Sequence, residues 1–112
     1  AQNNNEINDI NSLIKICYNY IMAMRCELER RRQQTNATRN LELAAYMSCC
    51  DLQPPHRVLT LRSAMAIAYK LKDFVYAAYF AKRMINIAEQ NKNAAKPEHI
   101  ENAKRVYAAC EQ

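Results

Sequence analysis

The side chains of this sequence best suited to chemistry are its five cysteines and two histidines. They are Cys17, Cys26, Cys49, Cys50, Cys110, His56 and His99. No two cysteines have the Cys-x-x-Cys spacing of a zinc site, and the adjacent Cys49 and Cys50 would point about 100° apart on a helix. A nucleophilic pair of Cys49 or Cys50 with His56 would need a group that orients the imidazole, and none is evident. We therefore predict no enzyme activity, no metal and no cofactor.

The cysteines are instead predicted to be buried apolar thiols, and His56, near a helix start, to bond backbone or solvent. An odd number of cysteines does not suit a closed disulfide framework, so we expect reduced thiols in the cytosol.

The 112-residue chain contains no glycine. P-loops, G-x-G-x-x-G turns and G-x-S-x-G elbows all require glycine, as do tight Asn-Gly and Asp-Gly hairpins. This excludes those phosphate-binding and hydrolase motifs and argues against an all-β fold. The apolar fraction of 50% is enough for one domain over residues 1–112. Because the chain begins at Ala1 without Met, we expect it to be a piece of a longer protein.

Apolar residues recur at helical spacing in five segments, with breaks near 33–36, 53–55 and 89–96 and a further helix cap at Asp73. The first helix is predicted over about residues 6–32, with Arg30, Arg31 and Arg32 at the negative end of its dipole. Its apolar stripe is typical of a helix that packs against a core. The stripe consists of Ile7, Ile10, Ile14, Cys17, Ile21, Met24 and Leu28.

Four shorter helices are predicted after the first. The second extends to Leu52 before Pro54 and Pro55 end it. The fourth carries Phe74, Ala77, Ala78, Ala81, Met84, Ile85 and Ala88 on one face. Asn91 and Asn93, just beyond it, are predicted to adopt the left-handed conformation that glycine often supplies at helix ends.

The third and fourth helices have the character of a tetratricopeptide (TPR) hairpin. Lys70-Leu71-Lys72-Asp73-Phe74 occupies the turn where a TPR often has Gly-Asp-Tyr, and Ala77 stands at a usual small packing position. The fold class predicted is all-α, with about five helices in antiparallel hairpins arranged in two layers as a TPR-like α–α solenoid fragment.

The candidate binding residues are aromatic and basic. The net charge of +5 arises entirely within residues 57–112, where a basic surface could meet an acidic partner or an anionic membrane, or could simply be solvated. Aromatic residues on both faces of the fourth helix imply an exposed aromatic patch that suits a protein partner. The predicted partner-binding residues are Arg62, Lys72, Tyr76, Tyr79, Lys82 and Arg83.

With these residues in view, the chain resembles the C-terminal region of the coatomer alpha subunit family. The resemblance extends over most of the chain from about residue 13, and the ordered combination of Leu-Gln-Pro-x-His with Lys-Leu-Lys-x-Phe is its most specific part. It is carried by Ile16–Ile21, Glu29–Arg31, Ala44-Ala45-Tyr46, Cys50-Asp51-Leu52-Gln53-Pro54-Pro55-His56, Leu59, Leu61-Arg62-Ser63-Ala64, Lys70–Phe74, Ala77-Ala78-Tyr79-Phe80-Ala81-Lys82-Arg83 and Ala109-Cys110-Glu111.

The resemblance implies an assembly module of the COPI vesicle coat that binds the coatomer epsilon subunit, itself a TPR-like protein, and other coat subunits. It further implies Golgi-to-ER and intra-Golgi vesicular transport. The location would be cytoplasmic, peripheral on Golgi and COPI-coated vesicle membranes through the assembled coat. No nucleic acid is expected as a partner. Two alternatives remain open: a TPR-like adaptor for an acidic peptide, and nucleic-acid binding, suggested by the pI near 9.0.

Overall fold

The structure, a computed structural model, describes residues 2–111. The elements are α1 (Gln2–Arg32), α2 (Ala37–Ser48), α3 (Pro54–Lys70), α4 (Phe74–Gln90) and α5 (Pro97–Cys110). No strand occurs within the described range. The prediction of an all-α fold is confirmed.

The starts of these helices follow from local chemistry. The Asn36 side chain accepts the Arg39 N–H at 3.1 Å, and the Asp73 side chain accepts the Tyr76 N–H at 3.3 Å. Each bond satisfies one of the backbone donors that a helix leaves without an internal partner. The helices α3 and α5 instead begin with proline, which has no N–H to satisfy.

The helices pack mainly on their neighbours in sequence: α1 on α2, α2 on α3, α3 on α4, and α4 on α5. Such sequential packing is the pattern of helical repeat proteins. Shared grooves between α1 and α3 and between α3 and α5 place the odd-numbered helices in one layer, and a pocket between α2 and α4 places those two in the other. The result is a thin slab with principal extents of 57 × 33 × 19 Å.

The larger core lies mainly between α3 and α4. Leu61 and Met65 of α3 meet Phe80 and Met84 of α4, all at most 2% exposed. The helices also bring small residues to this core, which allows their axes to approach closely. These are Ala64, Ala68, Ala77 and Ala81. A smaller cluster joins α1 to α2 and the following loop: Ala23, Cys26, Met47, Cys50 and Leu52.

Three helix boundaries differ from the prediction. The helix α2 ends at Ser48, and α3 already begins at Pro54, so the break covers residues 49–53 instead of 53–55. Both prolines fit the first turn of α3, where no N–H is required. The buried Leu52 therefore lies in the loop between α2 and α3 and not on a helix face. The helix α1 begins at Gln2, earlier than expected.

The buried face of α4 also differs from the predicted one, which included Phe74 and lacked Phe80 and Ile87. Phe80 is in the core, whereas Phe74 is exposed and packs edge-on against Tyr69 with ring centroids 5.7 Å apart. Phe74 is the first residue of α4 and lies beside Tyr69 in the last turn of α3, so it sits at the turn end of the hairpin, outside the core.

The left-handed residue lies between α3 and α4, where Lys72 has φ 62°. The Lys72 N–H donates to the Tyr69 carbonyl and the Asp73 N–H to the Ala68 carbonyl, which together form a Schellman motif. The prediction for Asn91 and Asn93 was wrong, since Lys72 is the only non-glycine residue with positive φ in the described chain. Asn91 has φ −135°, and its backbone and side-chain N–H groups both donate to the Ile87 carbonyl.

The stripe of α1 is not in the core, which corrects the expectation from its spacing. We call this stripe, from Ile7 to Leu28 as defined above, the α1 seam. Its isoleucine, methionine and leucine side chains are between 50% and 64% exposed. The α1 residues buried against the bundle are Ala23 and Cys26, on the opposite side of the helix from the seam. Residues 4–18 are all exposed, so only the second half of α1 packs on the bundle.

Candidate protein-interaction surface

Three of the predicted partner-binding residues, Tyr76, Tyr79 and Arg83, surround Phe80 on α4; we call these four residues the α4 patch. Phe80 is 2% exposed and anchors the group, while Tyr76 and Tyr79 are each 53% exposed. The Tyr76 and Phe80 rings stack with centroids 6.2 Å apart, and Tyr79 meets Phe80 edge-on at 5.5 Å. The Arg83 guanidinium lies over the Tyr79 ring, 5.6 Å from its centroid. The tyrosines are thus ordered by their neighbours while keeping about half of their surface for a partner.

A recess adjoins the α4 patch. It is an apolar pocket of about 290 Å³ between α2 and the start of α4, with Leu41, Ala45 and Phe80 among its lining residues. At its edge, the carboxylate of Glu42 pairs with Arg39 at 3.1 Å. An exposed aromatic residue beside an apolar recess is a common arrangement in protein interfaces.

The remaining predicted residues lie further away. Lys82 is exposed on α4, three residues beyond Tyr79 and therefore next to it on the helix surface. Lys72 is exposed in the turn before α4. Arg62 lies in the other layer, on the outer face of α3, with Leu59, Ser63 and Ala66. The structure therefore assembles the residues of α4 and separates Arg62 from them.

A groove between α3 and α5 was not identified from the sequence. Its volume is about 620 Å³, and Met65, Tyr69 and Val106 are among its lining residues. The cations Lys70 and Arg105 also line it. The basic excess of residues 57–112 was the only signal for it, but assigning that excess to a groove requires knowing that α5 lies beside α3.

The side chain of His56 makes a contact that the sequence did not predict. Its Nδ1 shares a hydrogen bond of 2.6 Å with the Tyr20 hydroxyl, which also accepts the Gln53 N–H at 3.2 Å. Nearby, the Asn19 side chain accepts the Asp51 N–H at 2.9 Å. These bonds join α1 to the loop before α3. His56 therefore has a structural partner, and the expected bond to backbone or solvent is replaced by one to a side chain.

The cysteines divide into three groups by exposure. Cys26 and Cys50 are buried between α1 and α2, and burial raises the pKa of both thiols. The pKa of the partly buried Cys110 is raised first by desolvation and then by Glu111. Cys17 and Cys49 are exposed, so the prediction of burial was wrong for these two. Within residues 2–111, no three His, Cys, Asp or Glu side chains are grouped in a way that could hold a metal ion.

The fold defines the class of protein. It is an all-α protein of antiparallel helix hairpins, with half-exposed tyrosine side chains on α4. Among the described helices, none has the length and apolarity required to span a bilayer. The chain belongs to the family described as the C-terminus of the coatomer (COPI) alpha subunit, whose model matches residues 1–112.

The relatives agree with the family model. The chain is 40% identical to coatomer subunit alpha of Dictyostelium discoideum over its whole length, which corresponds to 9% of that protein. It is 39% identical to the putative coatomer subunit alpha of Schizosaccharomyces pombe, and 36% identical to coatomer subunit alpha of Saccharomyces cerevisiae. Each of these two matches covers 80% of the chain and 8% of the relative. The resemblance noted in the sequence is confirmed, and the chain spans less than a tenth of these relatives.

Proposed function

We propose that this chain is a structural assembly module of the COPI coat and that it binds the coatomer epsilon subunit. Membership of the coatomer alpha C-terminal family supports a role in the coat. The module acts by burying a helical surface against its partner, with no chemical step. Its place is cytoplasmic, on Golgi and COPI-coated vesicle membranes through the assembled coat, in Golgi-to-ER and intra-Golgi transport.

The α4 patch is the contact surface in this proposal, and the exposure of Tyr76 and Tyr79 is the observation that supports it. Both rings are half exposed while their positions are fixed by Phe80 and Arg83. Tyrosine and arginine dominate the energetic centres of interfaces because they bury a large area with little loss of side-chain freedom. The exposed cations Lys72 and Lys82 belong to the rim, where charge affects the association rate more than the affinity.

Co-purification with tagged epsilon subunit tests the proposal. We expect the wild-type chain to be retained and the Tyr76→Ala/Tyr79→Ala variant to be lost. Val75→Ala is the matched control, because Val75 is 79% exposed on the same helix and lies outside the patch. Circular dichroism of each variant checks that the helices persist. Absence of wild-type binding would refute the partner, and retention of the double variant would refute the surface.

A second candidate function rests on the groove between α3 and α5. Its apolar lining and the cations Lys70 and Arg105 suit an acidic peptide with apolar side chains, as a TPR-like adaptor would bind. Binding of such a peptide should weaken as salt rises and should decrease in Lys70→Gln/Arg105→Gln. Tyr76→Ala/Tyr79→Ala should leave it unchanged, which separates this function from binding through the α4 patch. Peptide binding that is insensitive to salt and to the groove variant would exclude it.

A further inference from the structure

The α1 seam has the spacing of a coiled-coil contact. Its members follow one another at intervals of three and four residues without interruption. In a heptad this assigns Ile7, Ile14, Ile21 and Leu28 to position a, and Ile10, Cys17 and Met24 to position d. A strict a/d stripe of this kind is the surface that one helix presents to another helix.

The first half of α1 lacks a partner within the described bundle. Residues 4–18 are exposed on every side and include Asn4, Asn5, Asn8 and Asn11. Asparagine is a poor residue for a helix interior, and an isolated helix of about 12–15 residues is only marginally stable in water. A helix here, with isoleucines on one stripe, is therefore stabilised when a second helix covers that stripe.

The charges of α1 indicate which helix fits. Residues 4–14 contain the acidic Glu6 and Asp9 and no basic residue. Residues 15–32 contain five basic side chains and two acidic ones. In antiparallel order with residues 7–24 overlapping, the acidic N-terminal end of each copy, with Glu6 at the level of Arg25, points toward the arginine-rich C-terminal end of the other α1, and the two helix dipoles are opposed. Parallel order would bring like charges together along the whole length.

We propose that the α1 seam is an antiparallel two-helix contact between two copies of this chain. Pairing a with d positions about a two-fold axis sets Ile7 against Met24, Ile10 against Ile21, and Ile14 against Cys17 of the second copy. Because of the two-fold symmetry, each of these contacts occurs twice in the dimer. The overlap of residues 7–24 is about 27 Å long at a rise of 1.5 Å per residue.

The seam is also continuous with a second apolar surface. Met24 lines the groove between α1 and α3, together with the exposed Leu59. In the proposed register, the N-terminal half of the second α1 approaches this groove, so that Leu59 extends the contact beyond the helix pair. The bundle-facing residues Ala23 and Cys26 lie on the opposite side of α1 and do not obstruct the approach.

Sedimentation equilibrium of the full 112-residue chain under reducing conditions tests the proposal. The mass should rise with concentration from 13.0 kDa toward twice that value. Ile14→Glu/Ile21→Glu should raise the dimer dissociation constant at least about tenfold, because four buried isoleucines of the dimer become charged. Ile16→Glu is the matched control: Ile16 is an exposed isoleucine of α1 outside the seam, and its variant should dimerise like the wild type.

Oxidative crosslinking tests the orientation, in a Cys49→Ser background that removes the other exposed thiol. Antiparallel order sets position 14 opposite Cys17, so Ile14→Cys should give a covalent dimer on a non-reducing gel, and peptide mass spectrometry of that dimer should locate 14–17 disulfides. In parallel order, two copies of the chain that retains Ile14 would instead form a disulfide between their Cys17 side chains. The reason is that equivalent d positions meet in one layer of a parallel pair.

Three outcomes would overturn the proposal. A monomer at all concentrations would show that the α1 seam does not pair two copies of this chain. A dimer unaffected by Ile14→Glu/Ile21→Glu would place the interface elsewhere. A prominent Cys17–Cys17 bridge would refute the antiparallel order.

Discussion

At the level of single residues, Tyr20 connects three parts of the chain. Its hydroxyl lies 2.6 Å from His56 Nδ1 and accepts the Gln53 N–H, while its ring meets the imidazole edge-on with centroids 5.4 Å apart. The side chain thereby fixes the second half of α1 against the start of α3. No sequence pattern predicts this contact, because it joins residues 36 positions apart whose meeting depends on the path of the loop 49–53.

Removing the Tyr20 hydroxyl measures its contribution to the free energy of unfolding. We expect Tyr20→Phe to lower the free energy of unfolding by about 1 kcal/mol, because the Gln53 N–H and His56 each lose a partner while the ring remains. Urea denaturation followed by circular dichroism measures the difference. Tyr18→Phe is the control, since Tyr18 is exposed on α1, and it should change stability by less than about 0.5 kcal/mol. Equal effects of the two substitutions would show that the Tyr20 hydroxyl has no specific role.

At the level of elements, the sequence predicted where helices form better than which face each one buries. Prolines, Asp73 and polar runs marked the breaks, and the helices α3 and α4 packed as their small residues indicated. The face of α1 could not be predicted in this way. An apolar stripe shows that a surface avoids water, but it does not show whether the covering helix belongs to the same bundle. In α1 the bundle takes the small side chains of Ala23 and Cys26 and leaves the seam outside.

The turn between α3 and α4 gives a test at this scale. Lys72 occupies the left-handed position of a Schellman motif, where a side chain with a Cβ costs about 1 kcal/mol. We expect Lys72→Gly to raise the free energy of unfolding by about 0.5–1 kcal/mol, measured by thermal and urea denaturation. The matched control is Ala66→Gly, because Ala66 is exposed to solvent in the middle of α3. This substitution should lower the free energy of unfolding by about 1 kcal/mol. A destabilised Lys72→Gly variant would contradict the assignment of strain to this residue.

At the level of the whole molecule, sequential packing distributes three surfaces over a thin slab. The α4 patch lies in the layer of α2 and α4, while the α3–α5 groove and the α1 seam lie in the layer of the odd-numbered helices. A chain of this shape can therefore contact more than one neighbour at once, as the proposed role of an assembly module requires. The sequence identified the tyrosines of the α4 patch because both faces of that helix carry aromatic residues. It could not separate Arg62 from them, since the layer to which a residue belongs is set by tertiary packing.

Isothermal titration of the epsilon subunit into the chain tests the proposed function most directly. We predict saturable binding by the wild type and by Val75→Ala with dissociation constants within about twofold of each other. Tyr76→Ala/Tyr79→Ala should bind at least about 30-fold more weakly, because truncating two central aromatic anchors costs about 2 kcal/mol or more in total. The absence of heat or saturation with the wild-type chain would contradict binding of the epsilon subunit, and an unchanged dissociation constant in the double variant would contradict binding through the α4 patch.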